Sequence, residues 1–183
     1  MRLNHGPRLD DESPPRLVRL PVGGMSERVI FLDADGVLNH VGLFRNTRTA
    51  FPLSREACER FAKVCEIVGA RAVLSSSWRG FVQGERRLRE FGALRYWHPD
   101  RRTRRNLIER TYGRGDEIAE WLSRHPEVTE YAIVDDDDDM RPEQMTRFVQ
   151  TDFANGGLLQ EHADRLIMLF PSPPQESGNR EET

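Results

Sequence analysis

The chain has almost no lysine, few cysteines and no long apolar run. Of its 27 basic residues, Lys63 is the single lysine and the rest are arginine. Cys58 and Cys65 are the only cysteines, too few for the disulfide framework of a small secreted scaffold. On a helix their spacing puts them roughly 10 Å apart along its axis. That forbids a bridge between them and reads as core packing. No apolar stretch approaches the roughly 18 residues of a membrane-spanning helix, and the first 20 residues lack the apolar segment of a secretory leader. Nor does one sign of charge prevail. The 27 basic residues face 30 acidic ones, for a net of −3, which excludes a uniformly basic nucleic-acid coat and an acidic solvating tail. His5, His40, His98, His125 and His162 show no ligand spacing, so nothing along the chain points to zinc. These absences predict a soluble, cytoplasmic protein of a reducing compartment, with no membrane partner.

What is present fits one globular domain. The 183 residues are 37% hydrophobic without glycine, roughly 45% with it, the low edge of ordinary usage. A chain of this length can bury a sizeable core. The arginine excess suits phosphate recognition, and it is equally what a GC-rich genome writes without selection for binding. Residues 1–24 are rich in Pro, Arg, Asp and Gly without periodicity and read as a disordered arm, with Met25 an alternative start. Residues 171–183 read as a disordered tail. The folded unit is expected over residues 25–170.

Within it, apolar runs alternate with helical patterns. Strands are expected at Val29–Leu32, Ala70–Leu74, Tyr131–Val134 and Phe148–Thr151. Ser54 can cap a helix running to about Gly69, with Cys58, Phe61, Cys65 and Val68 on one face. Further helices are expected at Gly113–Arg124, where Gly115 suits a close backbone approach, and at Leu158–Phe170. Strands separated by helices predict right-handed βαβ units and a mostly parallel sheet. The fold expected is therefore a three-layer α/β/α, Rossmann-like domain. Open sheets of this kind bind ligands beyond the carboxyl ends of their strands. Three expected strands end directly in polar clusters: Asp33 and Asp35, Ser75 to Ser77, and the five aspartates Asp135 to Asp139.

Carboxylates so close repel unless a cation or a proton lies between them. Alone, an Asp-Gly pair is an ordinary turn and an acidic run is an ordinary solvated loop. Two such clusters at the ends of apolar strands instead suggest a shared cation, and oxygen-only ligands suit Mg2+. Ser75 and exposed amides after a strand can hold phosphate oxygens, and Arg114 at a helix start offers a fixed positive charge.

In order, VIFLDADGVLN, RAVLSS, Arg114 and AIVDD resemble the four motifs of the haloacid dehalogenase-like (HAD) superfamily of phosphatases and phosphotransferases. More narrowly, VLSSSWR, RGDEIAEWL, the aspartate run before Met140 and FVQTDFANGGL resemble a HAD branch linked to RNA-repair proteins. The one departure is Arg114, where lysine is commoner. The resemblance covers about residues 27–170 and implies a HAD-like fold. It implies Asp33 as a nucleophile forming an aspartyl-phosphate and Asp35 as general acid and then base. It implies Ser75 as a phosphoryl ligand and Arg114 as the neutralising cation. Mg2+ would be held by Asp33, Asp135, Asp136 and, through its main-chain carbonyl, Asp35. Ser76, Trp78 and Arg79, beside the second motif, are candidate substrate-binding residues, with Trp78 equally readable as core.

In this superfamily inserted caps select small substrates. Only the 15 residues His40–Ser54 separate the first motif from the next helix, room for a short hairpin at most, and 38 residues separate Ser75 from Arg114. A minimal cap, or none, leaves an open site. The segment Arg86–Arg110 carries nine arginines against three acids, with Tyr96, Trp97 and His98 inside it. Basic charge among aromatics is what a nucleic-acid end would use. The same stretch also reads as a surface helix with Leu88, Phe91, Leu94 and Trp97 on its core face. Three classes stay open: a phosphatase of nucleic-acid terminal phosphates or nucleotides, a phosphatase of a small metabolite or protein phosphate, and a non-enzymatic phosphate- or nucleic-acid-binding module.

Overall fold

A computed structural model describes residues 27–105 and 111–171. The two expected terminal segments lie outside the described residues, except for Pro171. In chain order the elements are β1 (Glu27–Leu32), α1 (Val41–Asn46), α2 (Arg55–Val68), β2 (Arg71–Leu74), α3 (Val82–Glu90), β3 (Trp97–Arg102), α4 (Gly113–Ser123), β4 (Val128–Asp135), β5 (Phe148–Gln150) and α5 (Gln160–Met168). The sheet order is β3-β2-β1-β4-β5, and every neighbouring pair is parallel.

Alternation along the central strand builds the three layers. Ile30 and Leu32 face a core shared with Phe61, Val64 and Cys65 of α2 and Leu166 of α5. Val29 and Phe31 face Ile118 and Trp121 of α4 on the other side. Phe31 meets Trp121 edge to face with ring centroids 5.3 Å apart, an arrangement favoured by the ring quadrupoles. Both strand faces are therefore covered, as parallel sheets require. Cys58 and Cys65 are free and buried. Burial pushes the Cys58 thiol up to about 12 and the Cys65 thiol up as well, so both serve as apolar packing.

The helix α2 starts and stops where its sequence says. The Ser54 hydroxyl accepts from the Ala57 amide at 3.2 Å, and Gly69 closes the helix in the left-handed region at φ 66°. Two stretches differ from expectation. The helical pattern across residues 86–97 breaks after Glu90 because Gly92 turns the chain at φ 74°, and Trp97 opens β3 instead. That strand contains Pro99, which is tolerated because β3 is the sheet edge. The short connection after the first motif forms the six-residue α1 instead of a hairpin. No cap domain appears among the described residues, and none of their helices is long and apolar enough to cross a membrane.

Removing the α2 cap tests the helix register. Ser54→Ala should cost about 1 kcal/mol, a fall of roughly 2–4 °C in melting temperature for a domain of this size. A calorimetric scan showing no fall would mean that the hydroxyl contributes nothing at this end.

Candidate active site

The polar clusters converge at the carboxyl edge of the central strands. Asp33 follows β1 directly, and its amide donates to the Val134 carbonyl of β4 at 3.0 Å. Asp135 ends β4 and is fully buried. Arg114, in the first turn of α4, spans both: Nη2 donates to Asp33 Oδ1 at 2.9 Å and Nε to Asp135 Oδ2 at 3.1 Å. Its position is fixed by Asp139, whose Oδ2 accepts from the Arg114 amide at 2.8 Å. One member of the acidic run thus anchors the start of α4 while another pairs with its arginine.

Asp136 completes the group. Asp33, Asp135 and Asp136 each offer an oxygen within 4.8 Å of the others'. Asp136 lies over Gly36, so close that a Cβ there would stand 2.1 Å from its Cγ. Gly36 also has φ 69°, where glycine is at ease and a side chain is strained. The Asp-Gly turn is therefore required twice, by its backbone and by the carboxylate above it.

Asp35 points elsewhere. Its Oδ1 accepts from Asn39 Nδ2 and its Oδ2 from Trp78 Nε1, both at 2.8 Å. Two neutral donors aim the carboxylate without neutralising it. Asn39 also accepts the Gly36 amide at 2.9 Å and donates to the Pro52 carbonyl at 3.2 Å, so it folds the whole turn around itself. Its position as a polar residue closing an apolar run was the available signal. Thr151 is a second such residue. Its hydroxyl donates to the Gly36 carbonyl at 2.8 Å, which ties the end of β5 to the turn.

The second cluster is built from within. Ser75 is fully buried, and its hydroxyl has no hydrogen-bond partner among the described residues, a costly condition that a ligand oxygen would relieve. The Ser76 hydroxyl accepts from the Trp78 amide at 3.3 Å, and its side chain works to lower the Asp33 carboxyl. The structure places Trp78 and Arg79, expected as substrate contacts, against groups of the protein itself. Trp78 is 3% exposed and serves Asp35. Arg79 turns inward, where it is buried, ion-pairs with Glu117 of α4 and donates to the Ser75 and Ser76 carbonyls. Burial lowers its pKa to about 10 and Glu117 opposes that shift, so it remains cationic at neutral pH. Its Nη1 holds the Ser75–Ser76 backbone in place while Nη2 meets Glu117.

The electrostatics are those of a site short of positive charge. Burial is the largest cause that raises Asp33, to about 6, with Arg114 opposing and Asp35 and Asp136 adding repulsion. Burial and Asp33 likewise raise Asp135, to about 8. Asp136 is raised by burial, then by Asp137. Burial works against the charge of Arg114, but Asp33 and Asp135 outweigh it and push the guanidinium up. The oxygen-only donor set and the unmet negative charge together fit a hard divalent cation held by Asp33, Asp135 and Asp136.

Two outcomes check this picture. A raised carboxyl pKa means that the folded state retains protons the unfolded chain has already lost. Without divalent ions, stability should therefore fall as pH rises from about 4 towards 8. Added Mg2+ should widen its stabilising effect over the same range, as read by melting curves with Mg2+ and with chelator. Equal gaps at pH 5 and pH 8 would refute the charge deficit. Separately, Glu117→Ala leaves the Arg79 cation buried and should cost about 3–5 kcal/mol in a urea melt, whereas a loss below about 1 kcal/mol would show that the pair is dispensable.

Residues 29–163 match the family model described as the HAD domain in Swiss Army Knife RNA repair proteins. No curated protein and no solved structure matches the chain.

Proposed function

We propose, from the premise that the chain belongs to the family of HAD domains in Swiss Army Knife RNA repair proteins, that this HAD-type hydrolase is a magnesium-dependent phosphatase of nucleic-acid terminal phosphates. The observation that carries the phosphatase reading is the shared guanidinium of Arg114 between Asp33 and Asp135, beside a buried Ser75 hydroxyl with no partner. Mg2+ held by Asp33, Asp135, Asp136 and the Asp35 carbonyl would supply positive charge to the equatorial phosphoryl oxygens.

The chain's own groups then divide the work. An Asp33 oxygen attacks phosphorus, the ester bond breaks, and the leaving oxygen takes a proton from Asp35. Asp35 next accepts a proton from water, whose oxygen attacks the aspartyl-phosphate and frees Asp33 and inorganic phosphate. Trp78 and Asn39 keep the Asp35 carboxyl in one orientation through both steps. Ser75 donates to a phosphoryl oxygen, and Arg114 balances the charge of the phosphate and of the intermediate. Arg79 is a positioning residue, acting through the Ser75 and Ser76 carbonyls.

The substrate reading rests on the open site and on a basic groove. No cap appears among the described residues, and a groove of about 570 Å3 opens from Arg79, lined by Arg86, Arg89, Arg101, Arg102 and Phe81. Arg89 and Arg101 lie against the Trp97 ring at 6.0 and 5.4 Å from its centroid. Glu85 and Glu90 offset part of the charge, so the groove is moderately basic. It offers guanidinium groups to a phosphodiester backbone and an aromatic face to a base.

Asp33→Asn should lower hydrolysis of an aryl phosphate at least a thousandfold while shifting the melting temperature by only a few degrees. Asp35→Asn should cost about 10^2–10^4-fold in turnover. Retained hydrolysis in Asp33→Asn would overturn the nucleophile assignment. The paired change Arg86→Ala with Arg89→Ala should raise KM severalfold on a 3′-phosphorylated oligonucleotide, leave kcat in place and leave the aryl phosphate untouched. It should also flatten the salt dependence of KM. Equal efficiency on a mononucleotide and the oligonucleotide would move the substrate to a small phosphate.

A further inference from the structure

The fold unites residues that lie apart in the chain at the opposite end of the sheet. His98 stands near the start of β3, and His125 and Glu127 stand in the connection from α4 to β4. One ligand-capable atom of each lies within 4.8 Å of the others'. Both histidines are buried or nearly so, whereas Glu127 is exposed and makes no ion pair among the described residues.

The imidazoles are oriented as metal ligands are oriented. The His125 Nδ1 lies 2.8 Å from the Trp121 carbonyl, which can only accept, so Nδ1 carries the hydrogen. The lone pair of Nε2 then faces Asp100 Oδ2 at 3.5 Å. That oxygen already accepts from Arg124 Nη1 at 2.7 Å, so the Nε2 lone pair is the one left to a ligand. The His98 Nδ1 lies 3.1 Å from the Asp100 carbonyl and 3.0 Å from its amide, so either ring tautomer finds a main-chain partner. With Nδ1 donating, its Nε2 is free for a metal, beside Glu27 Oε1 at 3.3 Å. A ring nitrogen anchored on a carbonyl is the usual support of a metal-bound histidine. Trp121 stiffens the pair, stacked on His125 at 3.7 Å and edge-on to His98 at 4.8 Å. Of the neighbouring charges, Arg124 pairs with Asp100 and Arg71 with Glu27, which leaves Glu127 as the uncommitted carboxylate.

We propose that His98, His125 and Glu127 form a second metal site, suited to zinc, at the amino edge of the sheet. Two imidazoles and a carboxylate match zinc in type and number, with a fourth position for water beside Glu27. Tetrahedral ligands stand roughly 3.4 Å apart around zinc, and rotation of the exposed Glu127 side chain supplies the closure. The ion would tie β3 to the α4–β4 connection, far from the carboxylates that face phosphate. The site is independent of the phosphatase reading.

The experiment uses the full chain, freed of metal and returned to excess Mg2+, so that the carboxylate group at the other edge is saturated. Zinc titration by calorimetry should give one ion per chain. At a hundredfold excess over its dissociation constant, zinc should raise the melting temperature by roughly 5–10 °C. Glu127→Gln changes only an exposed side chain and should weaken zinc binding at least tenfold, and His125→Gln should remove it. No zinc-dependent rise in the unaltered protein, or a full rise retained by both variants, would overturn the proposal. Either result would leave the hydrolysis of phosphate esters unaddressed, so the two readings fail separately.

Discussion

The crowding of carboxylates around one guanidinium governs the rest of this structure. Asp33, Asp135 and Asp136 share a small, largely buried space, and Arg114 reaches two of them. Such a group repels itself, and burial multiplies the repulsion. It persists because each member is built into a rigid part of the scaffold. Asp33 and Asp135 continue adjacent, paired strands, and Arg114 sits on a helix start tethered by Asp139. The Gly36 turn, Asn39 and Thr151 brace the chain between them. A sheet that places strand ends side by side can impose a charge arrangement that a loop would relax away.

Much of this was legible because it depends on short-range chemistry. The α2 helix follows from Ser54, Gly69 and the apolar spacing between them. The convergence of the clusters follows from the parallel topology, since strands running the same way bring their ends to one edge. What escaped reading depends on contacts across the fold. Arg79 looked like a free cation beside a phosphate loop, but Glu117, 38 positions later, claims it. Trp78 was equally readable as core or as ligand contact. It is core by burial and part of the site by its indole N–H, 43 positions from Asp35. The strand β3 was hidden by its composition, because Pro99 and charged neighbours suit only an edge position, and edge position is a property of the sheet. His98 and His125 show no motif because their meeting is set by where β3 begins and α4 ends.

The two sets of ligand-capable groups differ in chemistry as well as in place. The carboxyl edge holds hard oxygen donors in excess of their cations. That edge favours an ion that keeps water and shares phosphate. The amino edge holds imidazoles braced on carbonyls and packed against Trp121, which favours an ion that binds nitrogen. If both proposed sites fill, separation by the length of the strands would let one small domain sort cations by donor type.

Within the proposed reaction, Arg114 has two obligations that compete. In the structure its guanidinium is committed to Asp33 and Asp135. A phosphate brings negative charge into the same space and must draw on the same cation. Asp33, Asp135 and Asp136 could hold a divalent ion that would ease this competition. Held there, it would supply positive charge to Asp33 and Asp135, and Arg114 could turn part of its hydrogen-bonding capacity towards phosphate without leaving a buried carboxylate unpaired. The unpartnered Ser75 hydroxyl is satisfied at the same stage. Metal and phosphate are therefore expected to bind with positive coupling, each reducing the electrostatic cost of the other. The arginine at this position serves that exchange better than a lysine would, because its planar fork can hold two acceptors in fixed directions while shifting between them.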